Sequence, residues 1–461
     1  MNTSSIVRHT VRRGPLALAR PTLVTIGIGV AILAARAALA QERATPAHLI
    51  LGDLFRAVER ASPRAAAARA LARAARARVP AAKTPPDPQL QIGLMNYTIP
   101  GFRPMDPIGM TQIQVMQMVP VAGKLGLAGR VASANAAAAA ARARDAAWEV
   151  RTDAAMAFYD LYETDHGLAI ARETLRLVRD IRATAEAMYR VGEGGRQADV
   201  LRAQVEVARM VEDTIRMTTM RTAIGARLAA LVDRPPDAVV ATPVLPVFPD
   251  TVMPLDSLVA IAVTARPMVE AGEETVRAAD AQTRLARREI WPDLTVGLQY
   301  GQRAGAMGTE RMASLMLGAS LPIFAGRRQL PMREEAAAMQ QMATADLAAM
   351  RADTRARVTE AYARLVRARS LAALYRTTVI PQAEATAASA LAAYRVGSVD
   401  FMTLLDDRMA VNAYRQELLA LDAEQGRAWA ELEMLLGRAL FDADRSVRLA
   451  ADTAAPVKEV R

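Results

Sequence analysis

Leu321-Pro322-Ile323-Phe324-Ala325-Gly326 closes an alternating run of residues and opens a very long helical stretch. Val119-Pro120-Val121-Ala122-Gly123 occupies the same place in the first half of the chain. Moving outward, Val296-Gly297-Leu298 precedes the second junction and Ile92-Gly93-Leu94 the first. Downstream, Tyr394-Arg395-Val396-Gly397 matches Tyr189-Arg190-Val191-Gly192. The offsets are 204 residues for the first glycines, 202 for the prolines and 205 for the last glycines. Three landmarks in one order at nearly one spacing define a duplicated unit of strands and a long helix.

The N-terminus reads as an export signal. Arg8, Arg12, Arg13 and Arg20 precede an apolar core from Leu23 to Ala35, and Ala38-Leu39-Ala40 has the small-x-small form of a cleavage site. The core is short for a spanning helix. The formal charge is +10, and the leader removes five arginines and no acid, so the mature chain is near +5. Its basic residues are interleaved with acids along helices, the pattern of solvated helical faces rather than of a nucleic-acid patch.

Cysteine is absent, which excludes disulfides, thiolate metal sites and a cysteine nucleophile. Beyond the leader only His48 and His166 remain, and they are far apart in sequence. No Gly-x-Ser-x-Gly elbow and no phosphate-cradling glycine loop occurs. The chain is expected to be no enzyme, to use no cofactor and to hold no resident metal.

Past Gln41 no apolar stretch is long enough for a transmembrane helix. The runs that alternate are Leu294 to Tyr300, Ser314 to Leu321, Leu90 to Leu94 and Gln112 to Val115. Apolar-out and polar-in alternation of about ten residues suits a tilted barrel strand. A half-buried soluble sheet shows the same alternation. Four strands cannot close a barrel around a pore, since about eight are needed merely to fill one. If these strands cross a membrane, a trimer supplies twelve, within the known range of about 8 to 26.

The helices are unusually long. No proline occurs from Val121 to Arg234, and the first arm alone would extend roughly 100 Å at 1.5 Å per residue. In the second arm Val358, Ala361, Leu365, Ala368, Ala372, Tyr375 and Val379 follow a 3-4 spacing, with Pro381 placed to kink the helix. Leu161, Leu168 and Leu175 keep the seven-residue step in the first. An ordinary long helical bundle carries the same stripes.

The expected organisation is a signal peptide over 1–40 and a first repeat over 41–234. That repeat has strands at about 89–99 and 110–119, a long helix at about 124–189 and a return helix at about 199–231. A proline-rich loop follows over 235–254. The second repeat covers 255–440, with strands at about 293–301 and 312–323, a long helix at about 327–394 and a return helix at about 400–437. A polar, poorly ordered tail takes 441–461.

With this order in hand, the junctions resemble those of the outer-membrane efflux (TolC-like) family over roughly residues 47 to 440. The segment from Tyr394 to Asp406 looks like that family's helix-turn-helix tip, with Tyr189 to Leu201 as its partner. The two proline-glycine junctions look like its strand-to-helix junctions, and Pro120-x-x-Gly123-Lys124 like that of heavy-metal efflux relatives. The resemblance implies an α+β membrane protein: a homotrimer with a 12-stranded outer-membrane β-barrel continued by an α-helical coiled-coil tunnel into the periplasm. It implies contact with outer-membrane lipid, a periplasmic adaptor protein and an inner-membrane transporter of RND or similar type. Val191, Gly192, Val396, Gly397 and Ser398 become the adaptor-facing tip residues. Asp406 falls where a gate aspartate is expected, with Thr403 at a position that is acidic in some members. Asp400, Asp199 and Tyr394 complete the gate candidates, and an arginine that ties the gate in some relatives aligns with Val399.

The function so implied is passive conduction, in which adaptor contacts favour a splayed tip and a ring of aspartates favours cations. A periplasmic adaptor or a structural coiled-coil protein of the envelope is the alternative. An adaptor needs only one hairpin, and a coiled coil needs no alternating strands. The cargo stays open among metal cations, organic toxicants and proteins. Met95, Met105, Met110, Met116 and Met118 gather about the first strand pair, where thioethers suit monovalent copper, yet methionine is also a common gap-filler.

Overall fold

A computed structural model describes residues 48–105, 108–191, 197–305, 308–441 and 443–444. The leader, Gly192 to Arg196 and most of the tail lie outside the described residues.

Each repeat begins with two helices broken at a proline. In the first these are α1 (Leu51–Ala61) and α2 (Pro63–Lys83), and in the second α5 (Leu255–Ala265) and α6 (Pro267–Arg288). Pro63 and Pro267 stand at the first helical turn, where the missing N–H costs nothing. Ser62 caps α2 by accepting a hydrogen bond from the Ala65 N–H at 3.4 Å.

Strands β2 (Gln89–Met95) and β3 (Met110–Val119) then pair with β5 (Leu294–Gly305) and β6 (Gly308–Ala319) in one antiparallel sheet, ordered β2-β3-β5-β6. The first strand ends at Met95 rather than continuing to 99, because Asn96 turns into left-handed backbone with φ of 55°. The fourth starts at Gly308 and stops at Ala319, short of 323. Pro322 has no N–H to offer a ladder, and Leu321 to Arg328 coil into turns instead. The β5–β6 hairpin is consequently longer toward its tip than the alternation alone suggested.

The two arms are α3 (Lys124–Val191, 68 residues) and the pair α7 (Gln329–Leu374) and α8 (Ile380–Arg395). They return as α4 (Gln197–Leu231) and α9 (Phe401–Leu436). Leu161, Leu168 and Leu175 are buried in α3. Val358, Ala361, Leu365, Ala368 and Ala372 are buried in α7, but Tyr375 and Val379 are only half-buried. These last two bound a π-helical turn, Tyr375–Val379, in which the Ile380 N–H reaches back five residues to the Tyr375 carbonyl. Pro381 explains it: its ring collides with the carbonyl four residues earlier, and a wider turn removes the collision. The buried stripe resumes at Ala387, Ala390 and Tyr394.

The core lies midway along the arms. Phe158, Tyr159 and Leu161 of α3 pack with Leu51, Phe55 and Val58 of α1, and Leu258 of α5 packs with Val358, Leu365, Leu432 and Leu435. Gly426 permits the close approach of α9 to α3, since a Cβ there would fall 2.2 Å from the Tyr159 ring. The proline-rich segment is a loop that packs as a strap. Its β4 (Thr242–Pro243) runs parallel to β1 (His48–Leu49), and Phe248 lies against Tyr159 and Phe441. Phe441 and buried Ala443 join the same core.

One contact joins the repeats at the foot of the sheet. Lys124, 6 % exposed, donates to the Trp291 carbonyl and the Asp293 carboxylate, both at 2.8 Å.

Candidate functional site

Two regions carry functional geometry: the sheet and the far end of the helical arms. In an antiparallel ladder, opposed residues share a face. One face of this sheet presents Leu90, Ile92, Ile113, Val115, Val296, Leu298, Leu315 and Leu317, all exposed in the single chain. The other presents Gln89, Gln91, Gln112, Gln114, Gln299 and Ser314 among glycines, with a hydrogen bond from Gln299 to Gln112. Met95, Met110, Met116, Met118, Met312 and Met316 lie on this second face. Met116 and Met316 close over Gly297, each with an atom 3.5 Å or less from where its Cβ would stand. The first strand pair is therefore not alone in its methionines, and Met105 lies off the strands.

At the opposite end, the two hairpins meet in an apolar cluster: Ile181 and Ala185 of α3, Ala203 of α4, Ala390 and Tyr394 of α8, and Phe401, Leu404 and Leu405 of α9. Tyr394 packs edge-on against Phe401, ring centres 6.0 Å apart. Burial, and secondarily the negative Asp199, push its hydroxyl above the usual tyrosine range.

Gly397 takes φ of 75° in open space, and its N–H closes the turn on the Tyr394 carbonyl at 3.0 Å. Ser398 spends both its N–H and its hydroxyl on the Ala393 carbonyl. Val191 and Val396 project into solvent, 72 % and 79 % exposed. Gly192 lies outside the described residues.

Asp400 caps α9, accepting from the Thr403 N–H at 3.1 Å and from the Thr403 hydroxyl, so both residues already hold the turn. Asp406 stands exposed on α9 with no ion pair among the described residues.

The sequence reading missed Arg415. From α9 it donates to Glu384 of α8 at 2.6 Å and lies 3.7 Å from Glu173 of α3, tying the two hairpins together just behind the tip. Nearby, Thr174 of α3 donates to Asn412 of α9 at 3.1 Å, in a buried contact. Farther along, Arg376 pairs with Asp422 at 2.9 Å, and burial raises that carboxyl above its ordinary range against the arginine's pull. Interleaved charges signal helix faces, and nothing in their spacing singles out the pairs that cross between hairpins.

Residues 258–438 match the family model described as outer membrane efflux protein. That match covers most of the second repeat and less than half of the chain. Solved structures extend the likeness to the whole fold. CusC, described in connection with transmembrane channel formation, superposes with a TM-score of 0.73 at 17% identity, covering 86% of this chain and 95% of its own. The outer membrane protein VceC of Vibrio cholerae gives 0.71 at 18%, covering 85% and 97%. The MtrE outer membrane channel of Neisseria gonorrhoeae gives 0.69 at 16%, covering 85% and 89%. No curated protein matches by sequence. The partial family match and the likeness of fold point the same way as the junction motifs.

Proposed function

We propose that this chain is the outer-membrane channel of a tripartite efflux system, a homotrimer that passively conducts cargo handed on by a periplasmic adaptor and an inner-membrane pump of RND or similar type. The observation that carries the reading is the four-stranded sheet. It has one apolar and one glutamine-rich face, two free edges, and two long helical hairpins continuing from one end. Alone it encloses nothing; three copies supply the twelve strands of a closed wall with lipid outside and water within.

Exposed Trp291 and Phe324 at the helix end of the sheet, with Phe102 beyond its other end, suit the aromatic girdles of such a wall. The exposed Val191 and Val396, with the turn at Gly397 and Ser398, form the adaptor-facing surface, and Gly192 joins them by its place in the repeat. Asp406 lines the closed gate, and no covalent chemistry is involved.

The test is direct. The mature chain should fractionate with the outer membrane, run as a heat-sensitive trimer, and open discrete cation-preferring conductances in planar bilayers. A soluble periplasmic monomer without conductance would overturn the reading and favour an adaptor or a structural coiled coil.

A further inference from the structure

The sheet ends on two free edges, β2 and β6, and the internal repeat specifies how they meet. Inside the chain, the seam between repeats joins β3 to β5 with Met116 opposite Gly297 and Val119 opposite Leu294. The counterpart of β3 in the second repeat is β6, displaced by 202 residues from Pro120 to Pro322. The counterpart of β5 in the first repeat is β2, displaced by 204 residues from Gly297 to Gly93. Carried across, the internal seam becomes a seam between β6 of one copy and β2 of a second.

We propose that this intermolecular seam forms in a single register: Gly318 opposite Gly93, Leu317 opposite Leu94, Met316 opposite Met95, and Ala319 opposite Ile92. The inference rests on the reading that three copies close one barrel, and it adds which residues meet.

The faces provide an independent check. Gly318 and Met316 lie on the glutamine-methionine face, as Gly93 and Met95 do, while Leu317 and Leu94 lie on the apolar face. A slip of one residue would turn every side chain of one strand to the wrong side. The junction glycines Gly123 and Gly326 are displaced by 203 residues. Using that offset would set Ala319 opposite Gly93 and make this error, so the proline offset governs the strands.

Barrel geometry agrees as well. The row starting at Gln89 passes through Met116 and Gly297 to Met316. In the proposed register it re-enters β2 of the second copy at Met95, six residues further along the strand. Three copies accumulate a stagger of about eighteen residues. At roughly 3.3 Å per residue and 4.8 Å between strands, twelve strands then tilt by about 45°. That is the tilt expected of strands crossing a membrane.

The chain lacks cysteine, so paired cysteines report the seam without background. A disulfide needs Cβ atoms about 4 Å apart, which directly opposed residues satisfy and diagonal neighbours do not. The full-length chain carrying L317C with L94C, or M316C with M95C on the other face, is oxidised in isolated outer membranes. Mass in detergent is measured alongside. Pairs L317C with I92C and A319C with L94C test the registers two residues to either side. The expected result is several-fold more covalent dimer and trimer for the in-register pairs. A trimer in which an off-register pair links best, or in which no pair links, overturns the register and leaves the channel reading standing. A monomer in which no pair links overturns both.

Discussion

The ammonium of Lys124 lies 2.8 Å from a carboxylate oxygen of Asp293, binding the start of the long helix α3 of one repeat to the residue that precedes β5 of the other. Glu289 stands 3.6 Å away, so this buried cation neutralises two acids at the foot of the sheet. Removing one partner of such a pair strands the other. Lys124→Met is expected to destabilise the chain by about 3 kcal/mol, the lower end for a buried pair because Asp293 is partly solvated. The temperature at which the oligomer dissociates should fall, and Lys124→Arg should recover part of the loss. An unchanged dissociation temperature would show that the contact holds nothing.

Arg415 bridges hairpins that have to separate if the tip opens. Its partners are 43 % and 62 % exposed, so its contribution to the closed arrangement is small, about 1 kcal/mol or less. Arg415→Ala should raise the open fraction in planar bilayers several-fold, with Glu173→Gln, which removes the partner on the other hairpin, acting in the same direction. Equal open fractions in wild type and both variants would remove Arg415 from the gate.

Asp406 and Asp400 separate by experiment. Asp406→Asn takes away an exposed charge and little else, so folding should be unaffected while cation preference and divalent-cation block decline. Asp400→Ala removes a helix cap worth about 1 kcal/mol, so amide exchange should quicken in the first turn of α9, whereas Asp400→Ser retains the cap. Identical block in wild type and Asp406→Asn would place the selectivity elsewhere.

Glu433 makes part of the pH dependence predictable. Burial holds its carboxyl above the ordinary glutamate range, against a hydrogen bond from the Leu440 N–H and the nearby Arg151. The folded chain therefore keeps this proton more tightly than the unfolded chain. Its contribution makes stability fall as pH rises from the ordinary value of 4.5 through the raised one. Glu433→Gln retains an acceptor for Leu440 and cannot ionise. Its thermal midpoint should decline less than that of wild type between mildly acidic and neutral pH. Parallel curves would refute this.

The strands were legible because alternation is a period-two signal that a two-faced sheet must carry. The proline-glycine junctions were legible because they recur. Strand ends were not, since Asn96 ends β2 by a left-handed turn that many asparagines never adopt. The proline-rich segment was legible as loop-like, but its packing was not. Proline count excludes a helix but is silent on whether Phe248 finds a core to enter. At the tip, the glycine turn was legible from Gly397. Arg415 was hidden among many arginines, because only the packing of four helices decides which charge faces another hairpin.

The π-helical turn at Tyr375–Val379 has an arithmetic consequence. A strict 3-4 stripe continuing from Ala372 would bury positions 386, 389 and 393, yet Ala387, Ala390 and Tyr394 are the buried ones. The wide turn absorbs one residue, about 100° of helical phase. Length and phase are therefore set separately in the second arm. Deleting a single residue between 375 and 379 would leave the stripe in step with the tip, with a kink at Pro381 replacing the wide turn. Deleting one anywhere between the turn and Tyr394 would rotate Tyr394 away from Phe401. Tolerance of single-residue deletions along this arm should therefore be punctuate, with one permissive point in an otherwise forbidding helix.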